Sequence, residues 1–204
     1  MTREADASRK PLLLAQILEY LLDQPLASLS FRTLARALEV STFTLVYHFG
    51  SRAQLLSEIV AAISARETDI QRNLSENQGT LEAYFDGMER SWEWSVQPRN
   101  RKLQRLEFEA AMMEAQDPSS HDYTRTLYAR WQQIGKDGLQ ALGLNEADAE
   151  IESRLTVDTI FGLQYDLVIN GDVQRATVAF NHFRSTQRAR LKALLEDLGD
   201  AAAQ

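Results

Sequence analysis

Residues 29–49, Leu29-Ser30-Phe31-Arg32-Thr33-Leu34-Ala35-Arg36-Ala37-Leu38-Glu39-Val40-Ser41-Thr42-Phe43-Thr44-Leu45-Val46-Tyr47-His48-Phe49, read as two short helices joined by a tight turn. Ser30 stands before Phe31, Leu34, Ala35 and Leu38, which recur at three- and four-residue spacing and so share one helical face. Its hydroxyl is placed to accept a first-turn backbone N–H, the role of an N-cap. Ser41 or Thr42 can cap the second helix in the same way. Leu45 and Phe49, four apart, anchor the second helix to the first and leave Thr42, Phe43, Thr44, Tyr47 and His48 to face elsewhere. Arg32 and Arg36 fall off the apolar stripe, toward solvent or a polyanion. A helix this short does not stand alone, because nucleation is costly and few bonds repay it. Leu34, Leu38, Val40 and the flanking helices must hold it.

This layout, with small hydroxylated side chains and an aromatic on the second helix, is that of a helix-turn-helix, whose second helix enters the major groove of DNA. Continued through Gly50-Ser51-Arg52-Ala53-Gln54-Leu55-Leu56, it resembles the N-terminal domain of the TetR family of transcriptional regulators, well over roughly the first 60 residues and in outline beyond. The resemblance implies an all-α protein of about nine helices. A three-helix helix-turn-helix DNA-binding domain would occupy residues 1–50, and a helical bundle for ligand binding and dimerisation residues 51–204, with a helix at 51–77 linking the two as a lever. It further implies a ligand-responsive regulator, a repressor released from a palindromic double-stranded DNA operator by an unidentified small-molecule effector. The base-reading positions it marks are Ser41, Thr42, Phe43 and Thr44, with Tyr47 shared between backbone and thymine. His48 and Arg52 would contact phosphate, and Ser30 and Arg32 can also reach it.

Three positions depart from the family's pattern. Glu39 stands where a glycine is usual. A positive φ costs glycine nothing, so either the turn differs or Glu39 accepts strain of about 1 kcal/mol. Val46 replaces a frequent tyrosine, although Tyr47 keeps an aromatic hydroxyl at the next position. Phe43 is bulky where a small residue is common. A helical protein-interaction module that has lost specific DNA binding is the alternative that these departures leave open.

Composition sets the bounds. The chain has 204 residues, 44% hydrophobic and 25% charged, enough for one or two ordinary globular domains. It has no apolar run long enough for a transmembrane helix, and Met1-Thr2-Arg3-Glu4-Ala5-Asp6 lacks the apolar core of a signal peptide. No cysteine is present, so disulfide and thiolate chemistry are excluded, and a cytoplasmic location is expected. No nucleophile–base motif, phosphate loop, metal-ligand cluster or cofactor fingerprint stands out, so neither an enzyme nor a cofactor or metal is expected. His121 and His182 are isolated from other ligand types. The net charge of −7 is unevenly spread. Residues 1–52 carry six basic groups (Arg3, Arg9, Lys10, Arg32, Arg36, Arg52) against five acidic (Glu4, Asp6, Glu19, Asp23, Glu39), leaving +1 there and −8 in the remainder. A nearly neutral reading head implies few ionic contacts per subunit, and the acidic remainder reads as a solubility surface.

The pattern is helical nearly throughout, with helices expected at 10–23, 30–37, 41–48, 51–77, 80–97, 101–116, 120–142, 146–170 and 173–198. Pro98 and Asp117-Pro118-Ser119-Ser120 are read as stops, and Gly171 as a left-handed C-cap. The apolar sets of the last two helices are wide: Ile151, Leu155, Ile160, Phe161, Leu163, Leu167 and Val168, then Val173, Ala176, Phe180, Phe183, Leu191, Leu194, Leu195 and Leu198. Periodicity does not say whether they close the subunit's own core or a two-fold interface. The family resemblance favours a homodimer through helices 146–170 and 173–198, with recognition helices roughly 34–36 Å apart or somewhat more. Candidate ligand-binding residues are the large side chains Trp92, Trp94, Phe108, Met112, Met113, Tyr128, Trp131 and Tyr165, while Glu107, Glu109, Glu114, Arg125 and Asp158 read as solvated surface groups.

Overall fold

The computed structural model describes residues 2–63, 79–116 and 123–202. The expected run of the fourth helix to residue 77, the Asp117–Ser120 connection and His121 lie outside the described residues. Among those described there are nine α-helices and no strand: α1 Thr2–Leu21, α2 Phe31–Ala37, α3 Thr42–Phe49, α4 over 52–63, α5 Leu81–Ser95, α6 Pro98–Gln116, α7 Tyr123–Ala141, α8 Glu146–Asn170 and α9 Val173–Ala202. No helix among them is long and apolar enough to cross a membrane.

Local chemistry sets most boundaries. Ser30, Ser41, Thr80 and Asn145 each accept the backbone N–H three residues on, capping α2, α3, α5 and α8. Gly171 ends α8 with φ +69°, the left-handed cap expected of it. Two expectations at proline are corrected. Pro98 opens α6 instead of closing the preceding helix, because its missing N–H costs nothing in a first turn; α5 already ends at Ser95. Pro11 lies inside α1, which begins at Thr2 instead of residue 10. A 3₁₀ turn at Leu26–Ser28 was not foreseen.

The chain forms two compact units that do not coincide with a cut at residue 50. One comprises residues 1–65 with 102–125, the other 66–101 with 126–204. In the first, Leu13, Ile17, Leu18, Leu21, Leu34, Leu45, Phe49, Leu55, Ile59 and Ile63 are buried together with Leu103, Leu106 and Ala110 of α6. Arg105 explains why α6 belongs here. Its Nη2 donates to the carbonyls of Leu21, Leu22 and Gln24 at 2.8, 3.3 and 3.1 Å, at the last residue of α1 and just beyond it, where Leu21 O also accepts the Gln24 N–H at 3.2 Å. Its Nη1 pairs with the Glu109 carboxylate, whose other oxygen accepts the Leu26 backbone N–H at 2.5 Å. Lys102 adds a 2.5 Å ion pair with Asp23.

In the second unit Phe85, Met88, Trp92, Leu139, Leu144, Ala149, Leu167, Ala176, Phe180 and Leu191 form the core. Trp92 stacks on Phe180 at 4.7 Å and 6° and donates its indole N–H to Thr177 Oγ1 at 3.2 Å. Leu163, Val173, Phe183, Leu194 and Leu195 pack against this core half-buried.

Replacing Arg105 with methionine keeps the stem but removes the donor that three carbonyls and the Glu109 carboxylate share. Urea denaturation should show a loss of about 2–3 kcal/mol, and Arg105→Lys should recover only part of it, since an ammonium lacks the fork.

Candidate nucleic-acid interface and internal cavity

The α2–α3 turn carries the first candidate site. Ser30 Oγ accepts the Thr33 N–H at 3.1 Å and Thr33 Oγ1 accepts the Ser30 N–H at 3.2 Å, a reciprocal capping box. At the other end of α2, Glu39 has φ +54°, the only non-glycine residue among those described with a positive φ. The turn therefore keeps the left-handed geometry that glycine would favour, and Glu39 bears its strain. Val40 N–H reaches back to the Ala35 carbonyl at 3.0 Å, closing the wide loop of a Schellman cap around Glu39. Ser41 Oγ then caps α3 by accepting the Thr44 N–H at 3.0 Å, and the two hydroxyls lie 2.8 Å apart. Gly50 closes α3 with φ +67°, and a Cβ there would fall 2.0 Å from Gln54 Oε1. That oxygen accepts the Ser51 N–H at 2.8 Å and Ser51 Oγ accepts the Gln54 N–H at 3.2 Å, so a second capping box starts α4.

Leu45 and Phe49 are buried under α3, as their spacing requires. The outer face presents Phe43 and Tyr47, 77% and 63% exposed, with rings stacked at 6.5 Å. Thr42, Ser41, Arg32 and Arg36 are exposed beside them, while Thr44, His48 and Ser30 are half-buried. The His48 ring meets Tyr47 edge-on at 5.1 Å and Phe49 at 6.4 Å. Arg52 is exposed but spends its Nε on the Leu29 carbonyl at 2.9 Å, tying the first turn of α4 to the segment before α2. Lys10 lies 5.7 Å over the Phe49 ring and pairs with Glu58 at 2.5 Å.

The second candidate site is a cavity of about 100 Å³ within the second unit, between α5, α7 and α8. Of the eight large residues marked in the sequence, Trp94 and Trp131 line it. Trp92 belongs to the core against Phe180. Tyr128 stands behind Phe161, a lining residue, with its hydroxyl donated to Asp158. Tyr165 is 55% exposed. Phe108, Met112 and Met113 sit on α6 in the first unit, away from this cavity. Large side chains fill cores; among the residues lining this space are three glycines inside helices, Gly87, Gly135 and Gly138. Internal glycines cost a helix about 1 kcal/mol each, and that is the signal by which the cavity could have been found.

Its polar lining was also missed. Burial, helped by the nearby Glu152 carboxylate and opposed by Thr156, pushes the Tyr84 pKa up to about 12, so it stays a neutral phenol. Gln164 Nε2 donates to Ser95 Oγ at 2.8 Å. Three residues expected at the solvated surface have other places. Glu107 is buried, Glu109 holds Arg105 and Leu26, and Glu114 accepts the Thr124 N–H at 3.0 Å.

No protein-family model matches this sequence, and no curated protein matches it. Solved structures do. A transcriptional regulator from Rhodococcus sp. Rha1 superposes with a TM-score of 0.71 at 17% identity, over 92% of this chain and 96% of its own. A TetR-family regulator from Pectobacterium atrosepticum gives 0.62 at 19% identity, over 96% of each chain. The fold is that of the TetR regulators. NalD, the secondary repressor of the MexAB-OprM multidrug efflux pump in Pseudomonas aeruginosa, shares the TetR fold as well, with a TM-score of 0.65 at 16% identity over 91% of this chain and 96% of its own.

Relief of the strain at residue 39 is measurable. Glu39→Gly should stabilise the protein by about 1 kcal/mol, raising Tm by roughly 2–4 °C. Glu39→Ala removes the charge but keeps the β-carbon, so thermal melts should show little gain.

Proposed function

We propose that this protein is a dimeric, sequence-specific DNA-binding regulator of transcription, acting in the cytoplasm as a repressor that a small molecule releases from a palindromic operator. The observation that carries the reading is the α2–turn–α3 element. A short helix capped at both ends is anchored by Leu45 and Phe49 and offers Thr42, Phe43 and Tyr47 outward. Such a helix fits a major groove, where hydroxyls hydrogen-bond base edges and an aromatic or methyl group meets the thymine methyl. Thr42, Phe43 and Tyr47 are the base readers in this proposal, with Ser41 and Thr44 coupled to each other through the cap. Arg32, Ser30, His48 and the exposed edge of Arg52 are the phosphate contacts. Fold likeness to repressors such as NalD supports the regulatory sign.

The dimer rests on α8. Ile151, Leu155, Tyr165 and Ile169, 54%, 47%, 55% and 62% exposed, fall on one face at helical spacing. Gly162 lies between them with open space where a Cβ would stand. On α9, Val178 is 66% exposed. An uncovered stripe with a flat centre suits an isologous contact between two copies. The other apolar residues of these helices are largely absorbed by the subunit's own core. Ligand control then requires an effector that binds better to a dimer whose reading heads are wrongly spaced, since only differential affinity shifts the equilibrium.

In vitro selection from random duplex DNA should enrich a palindrome, and a folded dimer that enriches nothing would overturn the reading. On the selected site, Arg32→Ala should lower the slope of log affinity against log salt by about one per monomer, whereas Phe43→Ala should change base preference more than slope. The double variant Leu155→Arg/Ile169→Arg should run as a folded monomer in light scattering and lose the full-length palindrome. A variant that stays dimeric would place the interface elsewhere.

A further inference from the structure

We infer that α3 selects its DNA by the C5-methyl groups of thymine in the major groove, so that the half-site is defined by where methyls stand and not by a pattern of hydrogen bonds to purines. This rests on the regulator reading and names the base chemistry that its reading helix takes.

What α3 lacks decides first. Its eight residues, Thr42-Phe43-Thr44-Leu45-Val46-Tyr47-His48-Phe49, include no Arg, Lys, Asn, Gln, Asp or Glu. In the major groove guanine is singled out by Arg or Lys on its O6 and N7, adenine by the paired contacts of Asn or Gln, and cytosine by a carboxylate on its amino group. None of those pairings can be made from this helix. Arg32 and Arg36 stand on α2 and Arg52 on α4, and Arg52 gives its Nε to the Leu29 carbonyl at 2.9 Å.

The face that α3 does present is mostly apolar. Thr42, Phe43, Val46 and Tyr47 are its exposed residues and share one side of the helix. Phe43, Val46 and Tyr47 are 77%, 46% and 63% exposed. Thr44 Oγ1 lies 2.8 Å from Ser41 Oγ in the cap, and the half-buried His48 ring meets the Tyr47 and Phe49 rings edge-on. The outward polar side-chain atoms are then the hydroxyls of Thr42 and Tyr47. A hydroxyl both donates and accepts, so it bonds to either kind of base edge and selects neither. Thymine alone shows a methyl group in this groove, and two rings and an isopropyl group distinguish it by burial. Phe43 adds bulk and Val46 lacks a hydroxyl, so the two departures from the family's pattern on this helix act in the same direction.

Geometry sets the number of methyls. The Phe43 and Tyr47 rings are stacked with centroids 6.5 Å apart, about two steps of the roughly 3.4 Å rise along a strand. The two rings therefore meet different base pairs, and each half-site carries at least two methyls under α3.

The test uses the full-length protein and random duplex pools made with either thymine or deoxyuridine. The thymine pool should enrich a palindrome and the deoxyuridine pool should not. On the selected duplex each thymine is replaced singly by deoxyuridine, which deletes one methyl and keeps every hydrogen-bonding group. At two or more positions per half-site affinity should fall about fourfold, the worth of one buried methyl. Where such a T·A pair is changed to C·G, 5-methylcytosine should bind about fourfold better than cytosine. Phe43→Ala and Tyr47→Ala, both at exposed positions, should each bring thymine and deoxyuridine within about twofold at one of these pairs, whereas lost folding would weaken both duplexes alike. A palindrome that tolerates deoxyuridine throughout would overturn the methyl assignment and leave the regulator reading intact. Deoxyuridine sensitivity that neither variant changes would overturn it by placing the contact outside α3. Equal affinity for the single strand would overturn it in favour of base stacking on the rings. A thymine pool that enriches nothing would overturn both readings together.

Discussion

One guanidinium ties the first unit together. Arg105, more than eighty residues away in sequence, gathers three carbonyls where the chain leaves α1, those of Leu21, Leu22 and Gln24. Its partner Glu109 fixes the next turn of chain by accepting the Leu26 N–H. The entry to α2 is thus held by two side chains of α6 in addition to its own turn bonds and capping box. This matters because α2 and α3 are only seven and eight residues long. Helices of that length are unfavourable in isolation, so their position is inherited from the scaffold that α1, α4 and α6 make around them.

Against that scaffold the strain at Glu39 becomes intelligible. A cap stands on either side: Ser30 and Thr33 form a reciprocal box, and Ser41 Oγ accepts the Thr44 N–H. Leu34, Leu45 and Phe49 are fully buried. These contacts over-determine the turn, and a residue with a β-carbon is held in a conformation worth about 1–2 kcal/mol against it. In the proposed DNA complex, a carboxylate on that turn would weaken non-specific attraction to phosphate and shift weight toward base contacts.

What could be read from the sequence follows how local each cause is. Ser30, Ser41 and Gly171 act within four residues of themselves, and their caps were legible. The Leu45–Phe49 anchor and both ends of α8 were equally so. The membership of α6 was not, because Arg105 and Glu109 act across a long sequence separation and look like ordinary surface charges. Pro98 misled in a simpler way: proline ends one helix and begins another with equal ease, and the choice depends on where the neighbouring helix stops. The cavity was misread for a physical reason. Trp92, Phe108 and Tyr128 are large, and large residues are what cores consume, whereas the lining includes the helix-internal glycines Gly87, Gly135 and Gly138.

Helix α8 shows why its apolar stripe looked wide. Thr156, Val157, Ile160, Phe161 and Gln164 face the cavity, while Ile151, Leu155, Gly162, Tyr165 and Ile169 fall on the opposite side at 100° per residue. A helix apolar on both faces needs cover on both. The subunit covers one face with its own core and cavity and leaves the other exposed. The two faces are turns of one rigid rod, not separate elements. Any occupant that pushes Phe161 or draws on Tyr84 and Thr156 must move or strain the rod that carries the opposite stripe. A second copy packed on that stripe would feel the displacement directly, because packed apolar surfaces shift between discrete arrangements instead of deforming smoothly. In the proposed dimeric regulator, binding and dimer geometry would be coupled through the thickness of this one helix.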